Sequence, residues 1–301
     1  MGAYDGTLEN WAVGTSIALS SGGQTDLLTT QGAKSKTNAD INRLHVKLTS
    51  SITTAGTMAN VQGLLGGIAS IVIKTKDNKT IKNWTGPQLA YWSWLKTRKA
   101  NPSPSVSGTV TVTPSWEAVV PCTLPVRFAP YTLWVKGAPY GEIATNVTGA
   151  SLSLTVDQIY GAAPHLIGED FIPLRNLSAA QLDITTQFPT GVSMSRWAFV
   201  MNADSDFTNL SFRKGSVEMF DDTAGTYFFS EAILQEPVGS ISSDNRPVGL
   251  CPIPISPYKV EDGDKVEVTF GAVETSADPA AGVNLNSVYN PYAILYEYIV
   301  A

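Results

Sequence analysis

The stretch "SIVIKTKDNKTIKNWTGPQLAYWSWL" (70–95) decides the fold, because "NLSFRKGSVEMFDDTAGTYFFSEAIL" (209–234) repeats its pattern of residue classes without a gap. Each copy reads as a strand, a polar turn, a second strand, a glycine and a short helix. A repeat at an offset of 139 residues predicts two similar β-units in one chain. The matched pairs are Ile71 with Leu210, Ile73 with Phe212, Lys74 with Arg213, Ile81 with Phe220, Gly86 with Gly225 and Leu95 with Leu234.

Alternation of apolar and polar residues dominates the rest of the chain. Every second position is apolar in "GTVTVT" (108–113), "SLSLTV" (151–156) and "KVEVTF" (265–270). In "QLDITTQF" (181–188), Leu182, Ile184 and Phe188 lie on one face. This period is typical of strands with one buried face. Gly, Pro, Asn and Asp separate these segments, and no regular series of helices alternates with them. The pattern therefore predicts antiparallel sandwiches.

The repeat and the strand spacing together predict an all-β fold of two tandem eight-stranded jelly-roll β-barrels with short helical insertions. We place the first barrel at residues 41–163 and the second at 164–301, with the seam in "YGAAPHLIGEDFIPLR" (160–175). Residues 1–40 are rich in Gly, Ser and Thr and show little alternation. They are therefore interpreted as an N-terminal arm.

The composition restricts the classes of function. Charged residues make up only 15% of the chain, and the net charge is −6. Low charge favours lateral association, because little repulsion opposes it. The sequence has no basic tail, and its densest basic run, "KTRK" (96–99), is short, so we expect no direct contact with nucleic acid.

Few residues are candidates for catalysis. The two histidines, His45 and His165, lie in no recognised catalytic or metal-binding motif. The sequence contains no G-x-S-x-G, H-E-x-x-H or phosphate-binding loop. It therefore predicts no catalytic residue, no metal and no cofactor.

Two acidic clusters raise the question of a calcium loop or a catalytic carboxylate pair. Asn202, Asp204 and Asp206 mimic the start of a calcium loop, but the glycine at position six is absent, so an Asx-rich turn is favoured. Asp221 and Asp222, with Glu231, are the best candidates for a carboxylate pair in glycoside hydrolysis. Adjacent acids on one turn rarely face a common substrate.

The two cysteines, Cys122 and Cys251, stand in Pro-rich apolar contexts. Two cysteines in 301 residues do not make a disulfide framework, so buried free thiols are favoured. A disulfide between them is the alternative.

An aromatic cluster, Tyr91, Trp92 and Trp94, stands in the first copy of the repeat. It would suit the sugar platform of a carbohydrate-binding or glycoside-hydrolysing β-sandwich, which is the alternative function. Tyr91 and Trp92 match polar residues of the second copy, so we predict that they pack against a neighbouring barrel or subunit. Three residues of the stretch match apolar residues of the second copy and are predicted core: Leu89, Trp94 and Leu95.

The order of elements in 46–99, with its Trp/Gly-led helical segment, resembles the start of the first barrel in double jelly-roll major capsid proteins. That family forms the shells of tailless icosahedral viruses, bacteriophages among them, with an internal membrane. The last strand, "YAILYEYIV" (292–300), resembles the closing strand of the second barrel.

The resemblance implies a structural capsid protein without enzymatic activity. It implies a homotrimer whose barrels form a pseudo-hexagonal capsomer, and capsomers that tile an icosahedral virion shell assembled in the host cytoplasm. The expected partners are neighbouring capsomers, minor capsid or penton proteins, and the internal viral membrane through residues 1–40.

Overall fold

The computed structural model describes residues 8–11, 17–18, 25–26, 33–34, 40–54, 68–86, 88–89, 92–93, 111–112, 115–137, 147–174, 183–200, 207–223, 251–254, 258–270 and 293–300. The chain divides into two compact units. Unit 1 holds the described residues up to Ile167, and unit 2 holds those from Gly168 onward. The seam predicted from the sequence lies a few residues earlier, after residue 163.

Strands account for most of the described residues. They are β1 (Leu8–Trp11), β2 (Ile17–Ala18), β3 (Thr25–Asp26), β4 (Ala33–Lys34), β5 (Ile41–Thr54), β6 (Ile68–Lys74), β7 (Thr80–Trp84), β8 (Thr111–Val112), β9 (Ser115–Leu124), β10 (Thr132–Gly137), β11 (Val147–Tyr160), β12 (Leu166–Pro173), β13 (Asp183–Thr186), β14 (Ser193–Val200), β15 (Phe207–Lys214), β16 (Val217–Thr223), β17 (Cys251–Pro254), β18 (Tyr258–Lys259), β19 (Lys265–Phe270) and β20 (Ala293–Val300).

Unit 1 contains two antiparallel groups of strands. In the first, β1 and β2 pair with β11, β11 pairs with β5, and β5 pairs with β8 and β9. In the second, the order is β7, β6, β10, and then β3 and β4, which both pair with β10. Strands that pair with different stretches of the same neighbour occupy one strand position, so the described part of unit 1 has eight positions in two groups of four.

Unit 2 repeats this order. β12, most of whose residues belong to unit 2, neighbours β20, β20 pairs with β14, and β14 pairs with β17 and β18. The other group runs β16, β15, β19, β13. Each strand position of unit 1 thus has a counterpart in unit 2 with the same neighbours. The chain is an all-β double jelly roll, as the sequence predicted.

The segment predicted as an arm supplies strands to unit 1. At its described residues, β1 and β2 pair with β11, while β3 and β4 pair with β10. These strands are only two to four residues long, which is too short to produce an alternation in the sequence. The eight positions of the first jelly roll therefore begin at β1 instead of at residue 41.

The repeated stretches form the same hairpin in both units. β6 and β7 pair antiparallel around a five-residue turn, since Lys74 lies opposite Thr80. β15 and β16 pair antiparallel around two residues, since Lys214 lies opposite Val217. The strand match at an offset of 139 residues is confirmed, and the two copies differ in the turn.

The core follows the pleat of the strands. On β5, Ile41, Leu44 and Val46 are buried, while Arg43 and Lys47 are exposed. Strand β20 differs, because its first five residues are all buried and include Tyr296 and Glu297. A strand without a wet face reads as a continuous apolar run, which explains the sequence "AILY".

Candidate functional site

A short helix, α1, follows β7 in unit 1, and the structure describes it at residues 86, 88–89 and 92–93. Its first turn is closed by a reciprocal pair of hydrogen bonds. The amide of Gln88 donates to Thr85 Oγ1 over 3.3 Å, and the amide of Thr85 donates to Gln88 Oε1 over 2.9 Å. This capping box satisfies two amides that a helix start leaves without intrahelical partners. The helix predicted after the second strand is confirmed for the first copy.

Helix α1 directs large side chains into the core. Leu89 and Trp92 have no exposed surface, and Gln88 is also fully buried. The assignment of Leu89 to the core is confirmed, whereas Tyr91, Trp94 and Leu95 lie outside the described residues. A tryptophan with no exposed surface cannot stack a sugar, so Trp92 does not form the aromatic platform that the alternative function requires.

The other candidates are scattered over the units. His45 is half-buried on β5 and His165 is exposed before β12. Asp221 and Asp222 lie in β16, while Glu231 and residues 202–206 lie outside the described residues.

Cys122 lies on β9 as a buried, reduced thiol, as the sequence favoured. Cys251 begins β17, and the structure describes its backbone alone. The state of the second thiol remains a prediction.

One end of the hairpin in unit 1 carries a cluster of loops, the unit 1 corner, which we define as residues 74–80 and 125–131. The amide of Lys76 donates to the carbonyl of Phe128 over 3.1 Å, which joins the turn to the 3₁₀ helix at Val126–Phe128. The turn itself is closed by the amide of Asn78 on the carbonyl of Thr75, with Asn78 at a φ of 63°. Asn is among the few residues that tolerate this left-handed conformation.

A carboxylate secures the back of the same corner. Asp40 Oδ1 accepts from the amide of Val126 over 2.8 Å, and Asp40 Oδ2 accepts from the amide of Ala163 over 3.2 Å. The Tyr131 hydroxyl donates to the carbonyl of Pro125 over 2.6 Å. Burial, together with Cys122 and Asp40, raises the pKa of Tyr131 well above its usual range.

The unit 2 corner, residues 214–217 and 260–264, is the counterpart around the second hairpin. Asp264 is almost fully buried, and its Oδ1 accepts from the amide of Gly215 over 3.2 Å. Its Oδ2 accepts from the amide of Glu261 over 2.8 Å. A carboxylate therefore makes the junction that a backbone carbonyl makes in unit 1. The sequence did not predict this role of Asp264.

A tyrosine pair packs on the last strand of unit 2. The rings of Tyr296 and Tyr298 lie 5.8 Å apart, and Tyr296 meets Phe188 edge-on at 5.5 Å. Burial, then the charges of Asp170 and Glu169, raises the pKa of Tyr298 to about 12. Such phenols stay neutral at physiological pH and serve packing.

The described ranges contain neither a metal-binding cluster nor a membrane-spanning helix. No group of three or more His, Cys, Asp or Glu side chains there is arranged to hold a metal ion. In that same part of the chain, no helix has the length and apolar character to cross a bilayer. The sequence-based expectations of no metal, cofactor or catalytic residue remain predictions.

Comparison with known proteins gives matches in structure only. No family model and no curated protein matches the chain. The crystal structure of the STIV major capsid protein is similar with a TM-score of 0.67 at 13% identity, over 98% of this chain and 96% of that chain. The atomic structure of Sulfolobus Turreted Icosahedral Virus gives a TM-score of 0.61 at 12% identity, over 98% and 88%.

A bacteriophage protein gives a similar result. The major capsid protein P2 of bacteriophage PM2 matches with a TM-score of 0.55 at 8% identity, covering 98% of both chains. These similarities extend over nearly the whole length of each chain, at identities that establish fold alone. The fold of this chain is therefore that of the double jelly-roll major capsid proteins of viruses.

Proposed function

We propose that this chain is the major capsid protein of a virus, a structural protein of the virion shell without enzymatic activity. The observation that carries the proposal is the similarity to viral major capsid proteins over 98% of the chain. The same strand order in both units supports it. A chain of two like barrels can present six similar barrels in a trimer, which suits a pseudo-hexagonal capsomer.

The proposed assembly is a homotrimer that tiles an icosahedral shell beside neighbouring capsomers. A heterologous contact repeated about a threefold axis closes into a ring, so three copies satisfy every contact. The low content of charged residues, 15%, favours side-by-side packing of barrels. Minor capsid or penton proteins, and a membrane contact through residues 1–40, belong to the same proposal, as does assembly in the host cytoplasm.

The interface role of Tyr91 and Trp92 also remains a proposal. Trp92 has no exposed surface in the chain, so its part would be packing within the chain. Tyr91, one position earlier, would be the side chain that packs against a second subunit.

Size-exclusion chromatography with light scattering tests the assembly. We expect a stable species of three times the chain mass of 32.1 kDa, held by interfaces above the standard size of about 1,600 Å². A monodisperse monomer at high concentration would contradict the proposal. If that monomer also changed its tryptophan fluorescence on titration with soluble oligosaccharides, the alternative carbohydrate-binding function would be favoured.

A further inference from the structure

The unit 1 corner is basic. Its charged residues are four cations, Lys74, Lys76, Lys79 and Arg127, and one carboxylate, Asp77, which gives a net charge of +3. Lys76, Lys79 and Arg127 are exposed. The turn and the 3₁₀ helix that carry them are joined by the hydrogen bond from Lys76 to Phe128. The positive charges therefore share one fixed surface.

The unit 2 corner has the opposite sign. Its charged residues are three carboxylates, Glu261, Asp262 and Asp264, and one cation, Lys214, which gives a net charge of −2. Asp264 is buried and holds the loop, whereas Glu261 and Asp262 are exposed at its tip. Lys214 Nζ lies 3.7 Å from Glu261 Oε2, and the Glu261 side chain remains 67% exposed.

Each corner also exposes a valine. In the described part of the chain, three large apolar side chains are exposed, and two of them are Val126 at 38% and Val217 at 60%. Val126 lies in the unit 1 corner and Val217 in the unit 2 corner. An apolar centre with a charged rim is the usual anatomy of a protein–protein contact.

We propose that the unit 1 corner of one copy of this chain binds the unit 2 corner of a second copy. The opposite charges fix the pairing and orientation, and the two valines supply apolar contact. Such a contact joins two different surfaces, so it is heterologous and can close into a ring. The inference rests on the proposed function, because it names a contact that holds the copies together.

The equivalence of the corners favours a second copy over an anionic lipid surface. Both corners are built from the repeated hairpin and the loop before the next strand of the same sheet, β10 in unit 1 and β19 in unit 2. Of the two corners, only the unit 1 corner carries the cluster of positive charge that an anionic lipid surface attracts. The acidic unit 2 corner instead complements the basic unit 1 corner.

The test is a charge swap in the full chain. Variant one carries Lys76→Glu and Lys79→Glu, variant two carries Glu261→Lys and Asp262→Lys, and variant three carries all four substitutions. Asp264 is left in place, since it holds two backbone amides. Variant three has the net charge of the natural chain, −6.

Association is measured by analytical ultracentrifugation, and the melting temperature checks folding. We expect variants one and two to associate about 100-fold more weakly, and variant three to recover to within about tenfold. A matched control, Arg43→Glu with Lys47→Glu, changes the same charge on exposed positions of β5 and should keep the natural affinity. Raising salt from about 0.05 M to about 0.5 M should reduce these differences.

The outcomes separate this inference from the proposed function. If the natural chain stays monomeric, both fail. If it associates and neither single-corner variant is weakened, or if the β5 control is weakened equally, the inference alone fails. If variant one loses binding to phosphatidylglycerol vesicles while its self-association is unchanged, the unit 1 corner contacts lipid and the inference is overturned. Folded single-corner variants with lost association, rescued in variant three, support it.

Discussion

The two units share their strand order and differ at their corners. In unit 1 a five-residue turn is joined to the neighbouring loop through a backbone carbonyl, whereas in unit 2 a two-residue turn is held by the Asp264 carboxylate. The difference shows which part of a jelly roll tolerates a change of sequence. Strand neighbours are constrained by the core, while turns can change length, charge and the group that secures them.

The left-handed residue in each hairpin turn illustrates the same freedom. The two-residue turn of unit 2 places Gly215 at a φ of 59°, as tight hairpin turns favour, and unit 1 places Asn78 at 63° in its longer turn. Both solutions supply a left-handed residue, from different amino acids at different loop lengths. The predictions below test where the two units depend on different residues.

The largest expected effect is at helix α1 of unit 1. Trp92→Ala removes a fully buried indole, and we expect a loss of about 3–5 kcal/mol in the free energy of unfolding. Urea unfolding at fixed protein concentration measures it. Lys47→Ala, at an exposed position of β5, is the control, and it should stay within about 0.5 kcal/mol. If Trp92→Ala instead weakened association with unchanged stability, its proposed packing within the chain would be wrong.

The second-largest effect is expected at the unit 2 corner. Asp264→Ala leaves two backbone amides without their acceptor, and we expect a loss of about 3 kcal/mol. Hydrogen exchange should become faster at the amides of Gly215 and Glu261, and should stay slow at Lys76 in unit 1. Asp183→Ala, at an exposed position of β13, serves as the control. Unchanged exchange at Gly215 would mean that the carboxylate does not hold the corner.

A smaller effect is expected where glycines face neighbouring side chains. A methyl group added at Gly168 would overlap the ring of Tyr298, whereas one added at Gly161 of unit 1 would meet the flexible amide of Asn42. We expect Gly168→Ala to lower the free energy of unfolding by about 1–3 kcal/mol, and Gly161→Ala to cost less. Thermal melting of the two variants decides the order, and equal costs would contradict it.

The smallest effect is an alkaline loss of stability in unit 2. The folded state keeps Tyr298 protonated up to about pH 12, whereas the unfolded chain releases this proton near the ordinary pKa of 10.0. The contribution of Tyr298 is therefore complete below pH 10.0 and is lost as pH rises towards about 12. Urea midpoints across this range should fall less steeply for Tyr298→Phe than for the natural chain. Parallel slopes would show that the phenol does not titrate with unfolding.

The sequence predicted the fold class because several strands outside the repeated copies carry strong alternation. The segment "KVEVTF" (265–270) coincides with β19, and "SLSLTV" (151–156) lies within β11. The strands β1 to β4 were missed, since strands of two to four residues have no period to detect.

The candidate site, which comprises helix α1 and the two corners, could be predicted only in part. The capping box at Thr85 and Gln88 has a local signature, T-x-x-Q, from which the start of the helix could have been found. Asp40 and Asp264 have none, because their amide partners at Ala163 and Gly215 are distant in sequence. Only the fold reveals that the two corners are equivalent and opposite in charge.

Electron microscopy of the purified chain tests the central claim most directly. If the protein is a major capsid protein built from two like jelly rolls, two-dimensional averages of negatively stained particles will show six-lobed, pseudo-hexagonal capsomers with threefold symmetry. The account predicts that these capsomers tile into sheets or shells at high concentration. Averages of isolated two-lobed monomers, with no ring at any concentration, would contradict it.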